Sequence, residues 1–204
     1  MAGEQKRLKQ LMMAGVTISG SPGIVFDDSF NVYKDVYFPW QDFFAAASGN
    51  GLSGSVAVAL IASCAAALRF TGTKATCMVY SMRAMPPDAA SSGSGVLFMN
   101  WSDGTTVSAV ATVAACLYAW KHDDALSAAS ILVSTCAEVT GGGTASDLNS
   151  TSLAAVNAPA LSGVNLILRF TPNAADANNT SGSNFHLLGF KYRYRVNKIG
   201  SAAS

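Results

Sequence analysis

Charge is scarce in this chain. Of 204 residues only 12% are charged, about half the share of an average soluble domain. Glutamate occurs twice, at Glu4 and Glu138, and histidine twice, at His122 and His186. The formal net charge is +1, which supplies no long-range attraction to nucleic acid. So few glutamates serve poorly the paired carboxylates of sugar hydrolysis. No G-x-S-x-G elbow, P-loop or dinucleotide fingerprint occurs, and Gly141-Gly142-Gly143 is followed by no lysine, so it reads as a loop. The residues name no catalytic group and no cofactor-binding set.

Cysteine is limited to four positions, 64, 77, 116 and 136, with no C-x-x-C pair and no histidine-rich segment beside them. A zinc site is therefore not expected, and no metal ligand is named. Each thiol lies in an apolar run, where a free cysteine acts as a small hydrophobe, as suits assembly in a reducing cytosol. The longest apolar run, Val56 to Leu68, is too short to span a bilayer of about 20 residues. The apolar stretch after Lys6, Arg7 and Lys9 is too short for a secretory signal. No membrane partner is expected.

Half the chain is apolar, and alanine, glycine, serine and threonine abound. Strong helix formers for exposed positions are scarce, so the chain reads as mostly β, with apolar surface to spare for another protein. Residues 184–196 form the clearest strand. Lys191, Arg193 and Arg195 alternate with Phe190, Tyr192, Tyr194 and Val196, which marks a half-buried antiparallel strand. Extended at the same period, the pattern places His186 with Leu188 and Phe190 on the inward side. The basic side reads as solvated or facing a subunit.

Upstream, Leu8, Leu11 and Met12 fall at helical spacing in an N-terminal arm. Phe30 to Phe38 forms an early strand that ends or lies at an edge where Pro39 lacks an amide donor. Gln41 to Ala47 reads as a helical turn. Residues 55–71 are apolar throughout, and periodicity leaves helix and strand both open. Thr76 to Met85 is a strand stopped by Pro86-Pro87. Val96 to Trp101 is another, and Ser102-Asp103-Gly104 is a hairpin signal. Thr106 to Trp120 reads as a strand covered on both sides. Ser130 to Val139 is either a strand or part of a helix capped by Asp124. Val164 to Phe170 alternates cleanly and is followed by a polar loop, 171–183.

Eight to ten strands with frequent turns and no repeat period describe an all-β, jelly-roll-like antiparallel sandwich with a short N-terminal arm. The expected organisation is an arm and linker over 1–23, the sandwich over 24–198 and a C-terminal tail over 199–204. A His122-Asp123-Asp124 turn cannot by itself surround a metal ion. Trp40, Trp101 and Trp120 end apolar strands, where packing is the expected use and sugar stacking the alternative.

The order of features resembles tailed-bacteriophage virion proteins built on a jelly roll. The features are Val36-Tyr37-Phe38-Pro39-Trp40-Gln41-Asp42; Tyr80 to Asp88 with its proline turn; Phe98-Met99-Asn100-Trp101; and a closing pair. That pair comprises Leu168-Arg169-Phe170, the loop Thr180-Ser181-Gly182, and Leu187 to Tyr192. The resemblance implies a non-catalytic structural role in the virion, assembled in the host cytoplasm. A capsid decoration or cement protein is the expected form, a homotrimer on the major capsid protein or other virion proteins. A tail, neck or fibre subunit, or a carbohydrate-binding module from a different class, are the alternatives.

Overall fold

The computed structural model describes residues 16–18, 24–26, 32–45, 56–63, 65–70, 78–86, 89, 93–103, 110–121, 125, 129–144, 146–158, 164–172, 185–196 and 198–199. The expected arm helix, Cys64, Cys77, the His122-Asp123-Asp124 turn and most of the 171–183 loop lie outside them.

Two antiparallel sheets face each other. One has five strands in the order β10(Ser130–Thr140), β9(Val110–Lys121), β12(Val164–Pro172), β7(Val79–Ala84) and β4(Phe44–Ala45). The other runs β11(Asn149–Ala158), β8(Gly93–Ser102), β13(Phe185–Val196), β6(Ala65–Phe70) and β5(Val56–Ile61), with β3(Val32–Pro39) also paired to β13. A small third sheet joins β1(Val16–Ile18), β2(Ile24–Phe26) and β14(Lys198–Ile199). It takes one strand from each side of the boundary at residue 23 and one from the end of the chain. The fold is the all-β sandwich that the sequence implies.

Strand alternation accounts for the core. β12 is buried at every second residue from Val164 to Pro172, as its sequence alternation dictates. Phe170 reaches across the sandwich, its ring 5.2 Å from that of Phe190, 5.6 Å from Phe70 and 5.9 Å from Phe185. Trp101 is fully buried and stacks on Phe185 at 5.4 Å. Its indole Nε1–H donates to Thr151 Oγ1 at 3.0 Å, so burial leaves no unpaired donor on the ring. Trp101 is thus packing, as expected, while Trp40 and Trp120 are only half-buried.

β13 is the spine of its sheet. Along one edge it pairs with β8, and along the other it pairs with β6 at 185–187 and with β3 at 189–196. Its register against β8 slips by one residue between Leu187 and Gly189, where Gly189 takes a φ of +141°. A bulge reverses the side-chain alternation. Phe185 and Leu187 therefore join Phe190 and Tyr192 in the core. His186 sits on the outer side, opposite Arg69 and Ser102 in register. The inward placement expected of His186 is corrected by this extra residue, although the ring is still buried.

Other departures have local causes. Residues 55–71 resolve into the hairpin β5–β6, turned through Ala62 and Ser63, both at positive φ. The helical turn expected over 41–47 is one turn of 3-10 helix, Trp40–Asp42, followed by β4. Residues 130–140 are strand, paired along β9 with one register shift between Ile131 and Val133. The hairpin signal at Ser102-Asp103-Gly104 misleads, because β8 and β9 belong to different sheets and the chain crosses between them there. β3 is an edge strand ending at Pro39, as the missing amide donor requires.

Candidate functional site

Two surfaces collect side chains that the core does not use. The first is the outer face of the five-stranded sheet. Register places Met82, Ile167, Tyr118 and Ile131 in one row across β7, β12, β9 and β10. A second row holds Phe44, Tyr80, Arg169, Cys116 and Ser134. Trp120 lies opposite Asn165 beyond the first row. Phe44 is 60% exposed, Met82 50% and Ile131 63%, so the sheet presents aliphatic and aromatic groups to the outside at positions where alternation would call for polar ones.

Arg169 ties this face together. Its guanidinium lies 5.6 Å from the centre of the Tyr118 ring, and its Nη2 donates to Cys116 Sγ at 3.1 Å. Ser134 Oγ is 3.3 Å from the same sulfur. Burial pushes the Cys116 thiol up, but the Ser134 contact and the Arg169 guanidinium outweigh it and hold the thiol below its ordinary value. The Tyr118 hydroxyl is raised, first by burial and then by the neighbouring sulfur. Cys116 is buried and free, as expected for a thiol in an apolar run. Cys136 is free but exposed, because the edge strand β10 turns it outward.

The second surface is the outer face of the six-stranded sheet. Tyr37, Lys191, Phe98 and Ser152 form one row. Asp35, Arg193, Val96 and Ala155 form the next, and Tyr33 lies opposite Arg195. Arg193 donates from Nε to Asp35 Oδ1 at 2.9 Å and from Nη2 to Oδ2 at 3.3 Å. Lys191 Nζ is 4.7 Å from the centre of the Phe98 ring and 3.9 Å from Asp35 Oδ2. The Arg193 hydrogen bond holds the Asp35 carboxyl below its usual value against the opposing effect of burial. The basic row is therefore partly self-neutralised and interleaved with rings.

His186 faces Ser102 in register, but Asp103 is directed at Gly141 on the turn after β10. Among the described residues, no three His, Cys, Asp or Glu side chains are grouped to hold a metal ion, and no helix is long and apolar enough to cross a membrane.

The second surface is signalled in the chain by the alternating cations Lys191, Arg193 and Arg195, but the first has no local signature. The first is drawn from five strands, and only their register brings Phe44, Met82, Ile167, Tyr118 and Ile131 together.

No family model matches the chain, and no curated protein matches it. Solved structures resemble it in outline only. A family 35 carbohydrate binding module from Clostridium thermocellum is 13% identical, with 78% of this chain and 97% of that one covered at a TM-score of 0.43. A CBM22-1 xylan-binding domain from Paenibacillus barcinonensis is 13% identical, with 85% and 99% covered at 0.44. An exo-beta-1,3-galactanase from Phanerochaete chrysosporium is 10% identical at 0.45, and the match spans 78% of this chain but only 29% of that enzyme. At these scores the likeness assigns no function and transfers no site residue.

Proposed function

We propose that this chain is a non-catalytic structural subunit that works by protein–protein assembly through the outer face of its five-stranded sheet. The observation that carries the reading is the row Met82, Ile167, Tyr118 and Ile131, flanked by Phe44 and Trp120. Surfaces of this kind mark association sites, and the mixture of aromatic, methionine and aliphatic groups around one arginine is that of an interface centre. The virion setting rests on the order of sequence features set out above, and a trimeric capsid decoration or cement protein is its concrete form. Many copies acting together would let a modest contact per subunit stiffen a shell.

Native mass spectrometry or sedimentation at micromolar concentration tests the assembly. A trimer that falls apart in the double variant Met82→Asp/Ile131→Asp, with the melting temperature retained, is the expected result. A wild-type chain that stays monomeric and does not bind capsids overturns it.

A second reading, a carbohydrate-binding module, is favoured by one observation on the opposite face. Tyr37 is 59% exposed and Tyr33 46%, on one side of the edge strand β3 with hydrogen-bonding groups beside them. Aromatic faces with flanking polar groups suit sugar rings.

A further inference from the structure

We infer that β5 is a pairing edge for a second copy of this chain. Two β5 strands meet antiparallel across a two-fold axis and join two six-stranded sheets into one. The contact uses a different surface from the sheet-face assembly proposed above and does not depend on it.

An edge strand presents a row of unpaired backbone N–H and C=O groups, and folds guard it with charge, proline, a bulge or brevity. Among the described strands at the edges of the two large sheets, all but one carry such a guard. β3 holds Lys34, Asp35 and Pro39, and Arg83 Nε donates to its Tyr37 carbonyl at 3.2 Å. β10 holds Glu138 and a register shift, β11 has a register shift of its own, and β4 is two residues long. β5 reads Val-Ala-Val-Ala-Leu-Ile, without charge, proline or glycine, and pairs with β6 in unbroken register. Its other edge has no strand beside it among the described residues.

The side chains of β5 point the same way. Residues directly opposite each other share a face, and Val56, Val58 and Leu60 stand opposite Phe70, Leu68 and Ala66 of β6. Phe70 and Leu68 belong to the core. Val58 is nevertheless 62% exposed and Leu60 66%, and the facing sheet ends on this side in the two-residue β4. The inner surface of the sandwich thus continues past its cover as a bare apolar lip.

The strand itself names the occupant. Its large and small residues alternate from Val56 to Leu60, so an antiparallel pair centred on Val58 is self-complementary. Val58 falls opposite the partner's Val58, Val56 opposite the partner's Leu60 and Ala57 opposite the partner's Ala59. Both apolar lips then lie on one side as a continuous patch, whereas a slip of one residue would turn them to opposite sides. Neither strand carries a charge, so the pairing meets no repulsion. A two-fold contact of this kind closes at two copies. The edge is about 20 Å long at the rise of an antiparallel strand, so the contact is modest and shows itself at high protein concentration.

The contact is measured in the full-length chain carrying Met82→Asp/Ile131→Asp, which separates it from assembly through the other sheet. Sedimentation from micromolar to millimolar concentration is expected to show a monomer–dimer equilibrium there, weakened at least tenfold by the added Val58→Lys. Leu60→Lys serves as a second variant should that one fail to fold, and circular dichroism checks each. The register is tested by mild oxidation in a Cys136→Ser chain, which removes the exposed thiol. Val58→Cys is expected to give a covalent dimer well above that parent, and Ala57→Cys none, since position 57 faces the partner's Ala59. A dimer indifferent to both lysine variants, or cross-linking through Ala57→Cys in place of Val58→Cys, overturns the edge pairing. A chain that stays monomeric at millimolar concentration and cross-links no better than its parent overturns the inference, while a trimer of the wild-type chain would still stand for the sheet-face reading.

Discussion

The position that a β-carbon would take at Gly189 is already filled by the carbonyl oxygen of Phe38 on the neighbouring strand. Gly189 also has a φ of +141°, where L side chains are strained. Both facts follow from the bulge that fits β13 to its neighbours. Gly189→Ala is expected to destabilise the fold by about 2–4 kcal/mol, since neither backbone nor neighbour can yield cheaply. Urea denaturation measures it, and a loss under half a kilocalorie would mean that the bulge relaxes.

The Asp35–Arg193 pair predicts an acid limb to the stability curve. The Asp35 carboxyl is held below its ordinary value of 3.8 in the fold, chiefly by the Arg193 hydrogen bond. The folded state thus binds that proton more weakly than the unfolded chain. The stability that Asp35 contributes is complete above the unfolded value and is lost as pH falls through the lower folded one. Between pH 5 and pH 3, wild type should lose more of its melting temperature than Asp35→Asn does. Parallel curves for the two would remove the pair from acid stability.

The turn between β5 and β6 places Ala62 at φ 46° and Ser63 at φ 60°, a conformation that costs a non-glycine residue about 1–2 kcal/mol. Ala62→Gly should relieve it and raise stability by roughly 0.5–1 kcal/mol, despite the added freedom of the unfolded chain. Thermal melting in parallel with wild type checks the sign.

Ser81 is fully buried opposite Leu168, and among the described residues its hydroxyl has no hydrogen-bond partner. Removing an unpaired polar atom without opening a cavity stabilises. Ser81→Ala is expected to gain about 1 kcal/mol by denaturant titration, and a loss would place an unseen partner at that hydroxyl.

Sequence alternation was enough to read β12 and the stretch 190–196 residue by residue, because one face of each meets the core and the other does not. The bulge at Leu188 was hidden, since Leu188 and Gly189 fit either side of a strand until the register with Trp101 and Asn100 is known. β11 gave little signal. Its Asn-Ser-Thr-Ser start and alanines lack the branched and aromatic groups of a typical strand, and pairing with β8 makes it one. The β8–β9 connection misread for a related reason, because turn chemistry reports a change of direction and not which sheet receives the chain. The basic row was legible as a row. Its partners Asp35, Tyr33 and Tyr37 were not, lying some 160 residues away along the chain.

That separation has a consequence for synthesis and folding. Among the described residues β3 pairs only with β13, and β6, already paired with β5, takes its second neighbour from β13, so the six-stranded sheet cannot close until residues 185–196 have been made. Until then the edges of β3, β6 and β8 are open, and pairing across most of the chain's length is the slow kind, on the order of milliseconds to seconds. A nascent chain stalled before Phe185 would carry three apolar strands awaiting the same partner. Nascent chains of this protein should therefore need chaperone cover late in translation, and a supplied peptide of sequence 185–196 should compete for the vacant place.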